Sequence, residues 1–219
     1  MSLFSSQEQA NIKVISFDVE GTLVTPDFSY GIWYEAIPRL YAEEKGIKLP
    51  EAREMVKEHY QGVGEQRLEW YDIGYWFDHF KLGSPSLALE SCKNRVCYYP
   101  EVSDVLLSLS QKYKLIVASS SAREFLVYLL RDIKSYFYRV FSSISDYKRL
   151  KTPDFYLKIC QALRIKPGEM LHIGDNWQFD FLNAQQSGIL ALHLDRSKKD
   201  NCSQSLSSLN ELKLYLEVV

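Results

Sequence analysis

Five short, largely apolar runs limit what this chain can fold into more than any other feature of its sequence. They are Val14 to Phe17, Leu115 to Ala118, Arg139 to Ser142, Met170 to Ile173 and Ile189 to Leu194. None keeps the strict apolar–polar alternation of a strand with one wet face. Such runs suit a parallel sheet whose two faces are both covered by helices. From the second onward, a helix-like stretch separates each run from the next, and this alternation predicts a doubly wound α/β fold. Ser121 to Glu124 has the S-x-x-E form of a capping box and leads into the apolar run Phe125 to Leu130. A helix is therefore expected just after the second strand. Pro153 suits the first turn of another, over Asp154 to Leu163.

The stretch between the first and second runs differs. From Pro26 to about Cys97 there is no strand pattern, and about seventy residues is far too long for a loop in a compact domain. Helix-like segments fill it: Ser29 to Lys45 closed by Gly46, Pro50 to Tyr60 closed by Gly62, and Glu65 to Phe80 closed by Gly83. The reading is a parallel-sheet core over residues 1–25 and 98–219, with an all-helical cap inserted at 26–97.

Composition narrows the function classes. With 219 residues and 46% hydrophobic content, the chain can bury a core without disulfide or metal staples. Its net charge of −2 argues against a nucleic-acid partner held by a basic surface. Cys92, Cys97, Cys160 and Cys202 form no C-x-x-C pair and read as free thiols in a reducing compartment. Met1 to Asn11 lacks the order of a signal peptide, and no apolar run nears the ~20 residues that span a bilayer. A soluble cytoplasmic protein, monomer or homodimer, with no membrane partner, is expected.

The candidate chemistry sits where strands end. The first run leads into Asp18-Val19-Glu20-Gly21-Thr22, so two acids stand at the carboxyl end of a parallel strand, where open α/β sheets bind ligands. Were the strand to continue, Asp18 and Glu20 would share a face. The second run ends in Ser119-Ser120, Lys151 precedes a helix entrance, and the fourth run ends in Gly174-Asp175-Asn176, with Asp180 five residues beyond Asp175. Singly, these read as a polar loop, a serine-rich turn, a solvated lysine and a helix cap. Together, in this order, they make a coherent phosphate-and-magnesium set.

That ordered set, over about Val14 to Asp195, resembles the haloacid dehalogenase (HAD) superfamily, whose helical caps are inserted at the corresponding point. The resemblance implies a Rossmann-like core and a hydrolase of small phosphorylated metabolites, with Mg²⁺ as cofactor. Asp18 would be the nucleophile, forming an aspartyl phosphate, and covalent catalysis would divide one hard displacement into two easier ones. The Asp18 and Asp175 carboxylates and the Glu20 carbonyl would hold the metal through hard oxygens. Lys151 would neutralise the phosphate, and Ser119 with backbone amides near Glu20 and Ser120 would bind its oxygens. Asn176 and Asp180 would support, Asp180 by orienting Lys151 or metal-bound water. Glu20 departs from the usual D-x-D-G-T, which puts an Asp acid there. Glu is one methylene longer, and a displacement of order 1 Å can cost ~100-fold in rate. Enolase-phosphatases of the superfamily share D-x-E-G-T, but theirs continues with a second Thr where Leu23 stands here. Dehalogenases proper keep no acid at this position, because a halide leaves without a proton. Two alternatives stay open: a dehalogenase-type hydrolase, and a HAD-like binding or regulatory protein with weak turnover.

Aromatic residues make up 14% of the chain, and many fall in the predicted cap. Trp70, Ile73, Phe77 and Phe80 recur at helical spacing and read as cap core. Trp33, Tyr34, Tyr71, Tyr75 or Trp76 could instead line a substrate pocket that stacks on a flat group. Arg67 could meet a distal anion. His172 reads as a packed strand residue, while His59, His79 and His193 lack ligand spacing. Lys198-Lys199-Asp200 reads as a solvated loop.

Overall fold

The structure, a computed structural model, describes residues 5–198 and 202–216; of the expected solvated loop, Lys199 and Asp200 lie outside these. Among the described residues, six strands form one parallel sheet in the order β3-β2-β1-β4-β5-β6. They are β1 (Val14–Phe17), β2 (Lys114–Ser119), β3 (Phe137–Ser142), β4 (Met170–Gly174), β5 (Leu190–Leu194) and β6 (Ser205–Leu206). β3 starts two residues earlier than expected, and β6, only two residues long, has no periodicity to reveal it.

The side chains explain why the sequence runs do not alternate. On β1, Val14 faces one core, with Phe155, Ile159 and Phe181, while Ile15 and Phe17 face the other, with Val105, Leu109 and Leu129. On β2, Ile116 and Ala118 take the first side, Leu115 and Val117 the second. Successive residues point to opposite faces, and both faces are buried. The helix Pro153–Leu163 covers the first face; Val102–Ser110 and Arg123–Leu129 cover the second. β1 pairs with both β2 and β4, Phe17 lying level with Val117 and Ile173. The chain thus winds outward in opposite directions from β1. The crevice beyond its carboxyl end is where such sheets bind ligands.

Every regular element between Asp27 and Arg95 is helical. The two connections to the sheet lie side by side: the Thr25 N–H donates to the Cys97 carbonyl at 2.8 Å, and the Tyr99 N–H to the Leu23 carbonyl at 3.1 Å. Several expected bounds shift. The stretch read as Ser29 to Lys45 is Asp27–Tyr30, a wider π-helical Gly31–Ala36, and Ile37–Lys45, closed by Gly46 as expected. Pro38 accounts for the widening, since its ring lacks an N–H and would press on the carbonyl four residues back. The next helix runs Leu49–Val63 and closes at Gly64, not Gly62. The third is broken at Asp72, whose carboxylate accepts from the Tyr75 N–H and starts Ile73–Phe80; it closes at Lys81 rather than Gly83. Ser86–Cys92 is a further helix that the sequence reading lacked. No helix among the described residues is long and apolar enough to cross a membrane.

Candidate active site

Asp18 is the first residue past β1, and its N–H still donates to the Ile173 carbonyl, at 2.9 Å, as a further rung of the ladder. The chain then folds back on itself, the Leu23 and Val24 N–H groups both donating to the Val19 carbonyl. Gly21 makes this turn at φ +74°, and a Cβ there would lie 2.1 Å from an Asp175 oxygen. The glycine therefore serves both the left-handed turn and the approach of the second acid. Gly174 has the same role towards the third: a Cβ on it would lie 2.3 Å from the Asp180 carboxyl carbon.

Asp18, Asp175 and Asp180 each present a carboxylate oxygen, all within 4.8 Å of one another. Lys151, with its side chain 2% exposed, donates to Asp18 Oδ1 at 2.8 Å and also pairs with Asp180. The Lys151 carbonyl is held in turn by the Asn183 amide at 2.8 Å. Three carboxylates thus face one ammonium. Burial pushes Asp18 up to about 6, against the pull of Lys151. Asp175 is more open on its outer side, yet burial in the cleft, with Asp18 and Asp180 adding to it, pushes it up to about 8. Burial also acts on Asp180, but Lys151 and His172 outweigh it and hold that carboxyl well below its usual range. Lys151 is raised because its two partners overcome its own burial.

His172 is more than the packed strand residue expected. It is fully buried, with Nδ1 2.9 Å from Ser16 Oγ and Nε2 3.1 Å from Asp180 Oδ1. Burial lowers the pKa of the ring, against the opposing pull of Asp180. A carboxylate can only accept, so Nε2 donates to Asp180, while Nδ1 lies within hydrogen-bond reach of Ser16. The Asn176 N–H donates to the other Asp180 oxygen at 3.0 Å, and the Asn176 side chain accepts from the Phe179 N–H at 2.9 Å. Asp180 is therefore fixed from three sides, with Lys151 as the third.

Glu20 is half-buried and turned towards Ser121, whose hydroxyl donates to it at 3.1 Å. Burial pushes its carboxyl up to about 7, the Ser29 and Ser121 hydroxyls partly offsetting this. The expected capping box is thereby overturned: the helix runs Arg123–Leu129 behind Ala122, with no side-chain cap, and the Arg123 N–H donates to Ser145 Oγ at 2.9 Å instead. The Ser121 hydroxyl is engaged with Glu20. The Ser121 N–H donates to Ser119 Oγ at 3.2 Å, and the Ser119 hydroxyl lies beside Asp18, lowering its pKa.

Two cavities meet at this point. One of about 180 Å³ is bounded by Asp18, Ser119, Ser120, Lys151, Asp175 and Asp180. Another, of about 170 Å³, is bounded by Trp33, Tyr34, Tyr60, Trp70, Tyr71 and Phe125. Glu20, Tyr71 and Ser121 border both. Of the expected pocket aromatics, Trp33, Tyr34 and Tyr71 line the second cavity, whereas Trp76 is fully buried against Tyr60 and Phe80 and Tyr75 does not line it. Trp70, expected in the cap core, lines it as well. Arg67 is exposed and pairs with Glu69, away from both cavities.

Arg196 escaped the sequence reading. Its guanidinium donates to the carbonyls of Gly21 (3.2 Å) and Thr22 (2.7 Å) and to Glu101 (2.7 Å), and lies 3.5 Å from the centre of the Tyr99 ring. It clamps the turn that carries Glu20.

A family model for haloacid dehalogenase-like hydrolases matches residues 12–188. No curated protein sequence matches the chain. Similar solved structures include a HAD phosphatase from Thermococcus onnurineus, 23% identical, with a TM-score of 0.83 over 94% of this chain and 98% of that one. The HAD-hydrolase YfnB from Bacillus subtilis, in a magnesium-bound form, is 18% identical, with a TM-score of 0.69 over 94% and 99%. A 2-haloacid dehalogenase from Pseudomonas syringae is 19% identical, with a TM-score of 0.65 over 94% and 98%. At these identities the likeness is one of fold.

Proposed function

The chain belongs to the haloacid dehalogenase-like hydrolases, and from that premise we propose that it is a magnesium-dependent phosphatase acting on a small phosphomonoester. The observation that carries this reading is Glu20, an acid poised near neutrality between the two cavities. A departing alkoxide needs a proton and a departing halide does not.

The donor set fits a divalent cation. Three carboxylates crowd one lysine, and Asp175, raised first by burial and then by Asp18 and Asp180, would be relieved by a further positive charge there. The Asp18 and Asp175 carboxylates and the Glu20 carbonyl would hold Mg²⁺ through hard oxygens. When bound, the ion supplies charge that offsets the repulsion between nucleophile and phosphate.

Asp18 attacks phosphorus, forming a new O–P bond as the ester P–O bond breaks, and the leaving oxygen takes the Glu20 proton. Lys151, fixed by Asp180, neutralises the phosphoryl oxygens, and the Ser119 hydroxyl donates to them. Glu20, now a carboxylate, takes a proton from water as that water attacks the aspartyl phosphate. Phosphate departs, Asp18 is regenerated, and Glu20 is again an acid.

The test is phosphate release from a panel of small phosphomonoesters with Mg²⁺. Turnover is expected to stop with EDTA and return with Mg²⁺. Asp18→Asn is expected to lower kcat by about 10⁴-fold or more while leaving the circular dichroism spectrum unchanged. Chloride release from a 2-chloroacid with no phosphate release from any ester would overturn the reading in favour of dehalogenation.

A further inference from the structure

Resting on the phosphatase reading, we infer that the substrate is the monophosphate of a small uncharged alcohol carrying one flat ring. The ring occupies the aromatic cavity, and the ester oxygen lies at Glu20.

The walls of that cavity are built before any ligand arrives. Trp33 stacks on Phe125 with ring centres 5.3 Å apart and planes at 15°. Tyr60 stands edge-on to Trp33, Tyr34 and Trp70, each about 6 Å away. Its hydroxyl is already committed to the Trp33 carbonyl at 3.1 Å, so Tyr60 offers a ring and not a polar tip. Rings held in this way recognise another ring by edge and face at little ordering cost.

Charge sets the second limit. No Lys, Arg or His is among the described residues lining this cavity, and its one ionisable acid is Glu20. A second phosphate or a carboxylate on the leaving group would lose water and meet no cation there. The cation of the neighbouring cavity, Lys151, is already shared by Asp18 and Asp180. Sugar bisphosphates, phosphoglycolate-like acids and haloacids are therefore poor occupants.

Size sets the third. A protein cavity of about 150 Å³ binds benzene. At about 170 Å³ this one has room for a single six-membered ring with a short linker. Glu20, Tyr71 and Ser121 lie on both sides of the boundary, so a ring on one side and a phosphoryl group on the other leave the bridging oxygen beside the acid.

The experiment compares benzyl phosphate, ethyl phosphate and 2-phosphoglycolate on the intact Mg²⁺-loaded protein. Benzyl alcohol and ethanol are leaving groups of similar basicity, so their difference reports the pocket. The expected kcat/KM for benzyl phosphate is at least about tenfold above that for ethyl phosphate, with 2-phosphoglycolate slowest. Tyr34→Ala, at a half-exposed position, is expected to shrink the benzyl-to-ethyl ratio at least about threefold. Equal rates, a preference for 2-phosphoglycolate, or a ratio unmoved by Tyr34→Ala overturns the ring assignment and leaves the phosphatase reading standing. If no ester is hydrolysed, the phosphatase reading fails and binding decides the pocket by itself. Benzylphosphonate should then quench tryptophan fluorescence saturably, at least about tenfold more tightly than ethylphosphonate; equal affinities overturn the proposal.

Discussion

The cleft at the sheet edge and the aromatic cavity beside it share Glu20, Tyr71 and Ser121, yet they are made of opposite materials. In the cleft, polar groups are mostly buried and held by one another: Lys151 by Asp18 and Asp180, Asp180 by His172 and Asn176. A strand, a helical segment and the loops between them hold these groups, and two glycines let the carboxylates come together. In the cavity, rings from three helical segments and the helix after β2 lean on one another with few polar contacts. Charge removed from water is costly when left unpaired, so the cleft tolerates little change. Ring packing is less directional, so the cavity can be reshaped without disturbing the chemistry. A hydrolase divided in this way can keep its reaction and alter its substrate.

The contrast can be broken first at Lys151. Lys151→Ala leaves Asp18 and Asp180 buried without their cation, and a loss of about 3–5 kcal/mol is expected by urea denaturation. The exposed pair Arg67–Glu69 should behave differently, with Arg67→Ala leaving the denaturation midpoint nearly unchanged. Equal costs would mean that the cleft network is no more demanding than a surface pair.

A smaller effect is expected at Arg196, which touches neither cavity's reacting groups but braces the Glu20 turn. Arg196→Ala should lower kcat about 10–100-fold with KM nearly unchanged, the signature of a displaced acid. A loss confined to KM would assign Arg196 to substrate binding instead.

The smallest effect separates the helical segment between Asp27 and Arg95 from the cleft by pH. His79 Nε2 and His59 Nδ1 are 3.0 Å apart on its surface. Burial, and then His59, lowers the His79 pKa from 6.5. A depressed histidine pKa costs nothing at high pH, where the ring is neutral folded or unfolded. It costs stability as pH falls below 6.5, because the unfolded chain binds the proton more readily. Because both rings are largely exposed, Tm should fall by only about 1–2 °C between pH 7.5 and 5.5 beyond the change in His79→Gln. Identical pH profiles for the two proteins would remove the pair from the account.

Asp18, Glu20, Lys151, Asp175 and Asp180 were singled out by their order along the chain and its resemblance to a known family, since each alone reads as an ordinary loop or cap residue. An acid one residue past an apolar strand, a glycine that must turn left-handed and a second acid after a glycine are features of a few consecutive residues, and the parallel order of strands brings such tips to one edge. Ser121 was misread because S-x-x-E is sufficient locally for a helix cap, and only the approach of Glu20 from 101 residues away redirects its hydroxyl. His172 announces only a strand until Asp180 closes on it. Arg196 carries no motif and meets Gly21 across 175 residues. Tyr60, Trp70 and Phe125 have the same difficulty: helical periodicity says that a ring is apolar, not whether it meets core or cavity.

The sequence by itself determined the largely apolar strands, the helical insertion after the first of them, and the acids that follow the first and fourth. Those properties follow from backbone period, chain length and turn geometry, which act over a handful of residues. Only the tertiary structure decided which rings face a void, which hydroxyl serves the acid and which arginine steadies its turn. Those are contacts between distant segments, and no local energy term selects among them until the chain is packed.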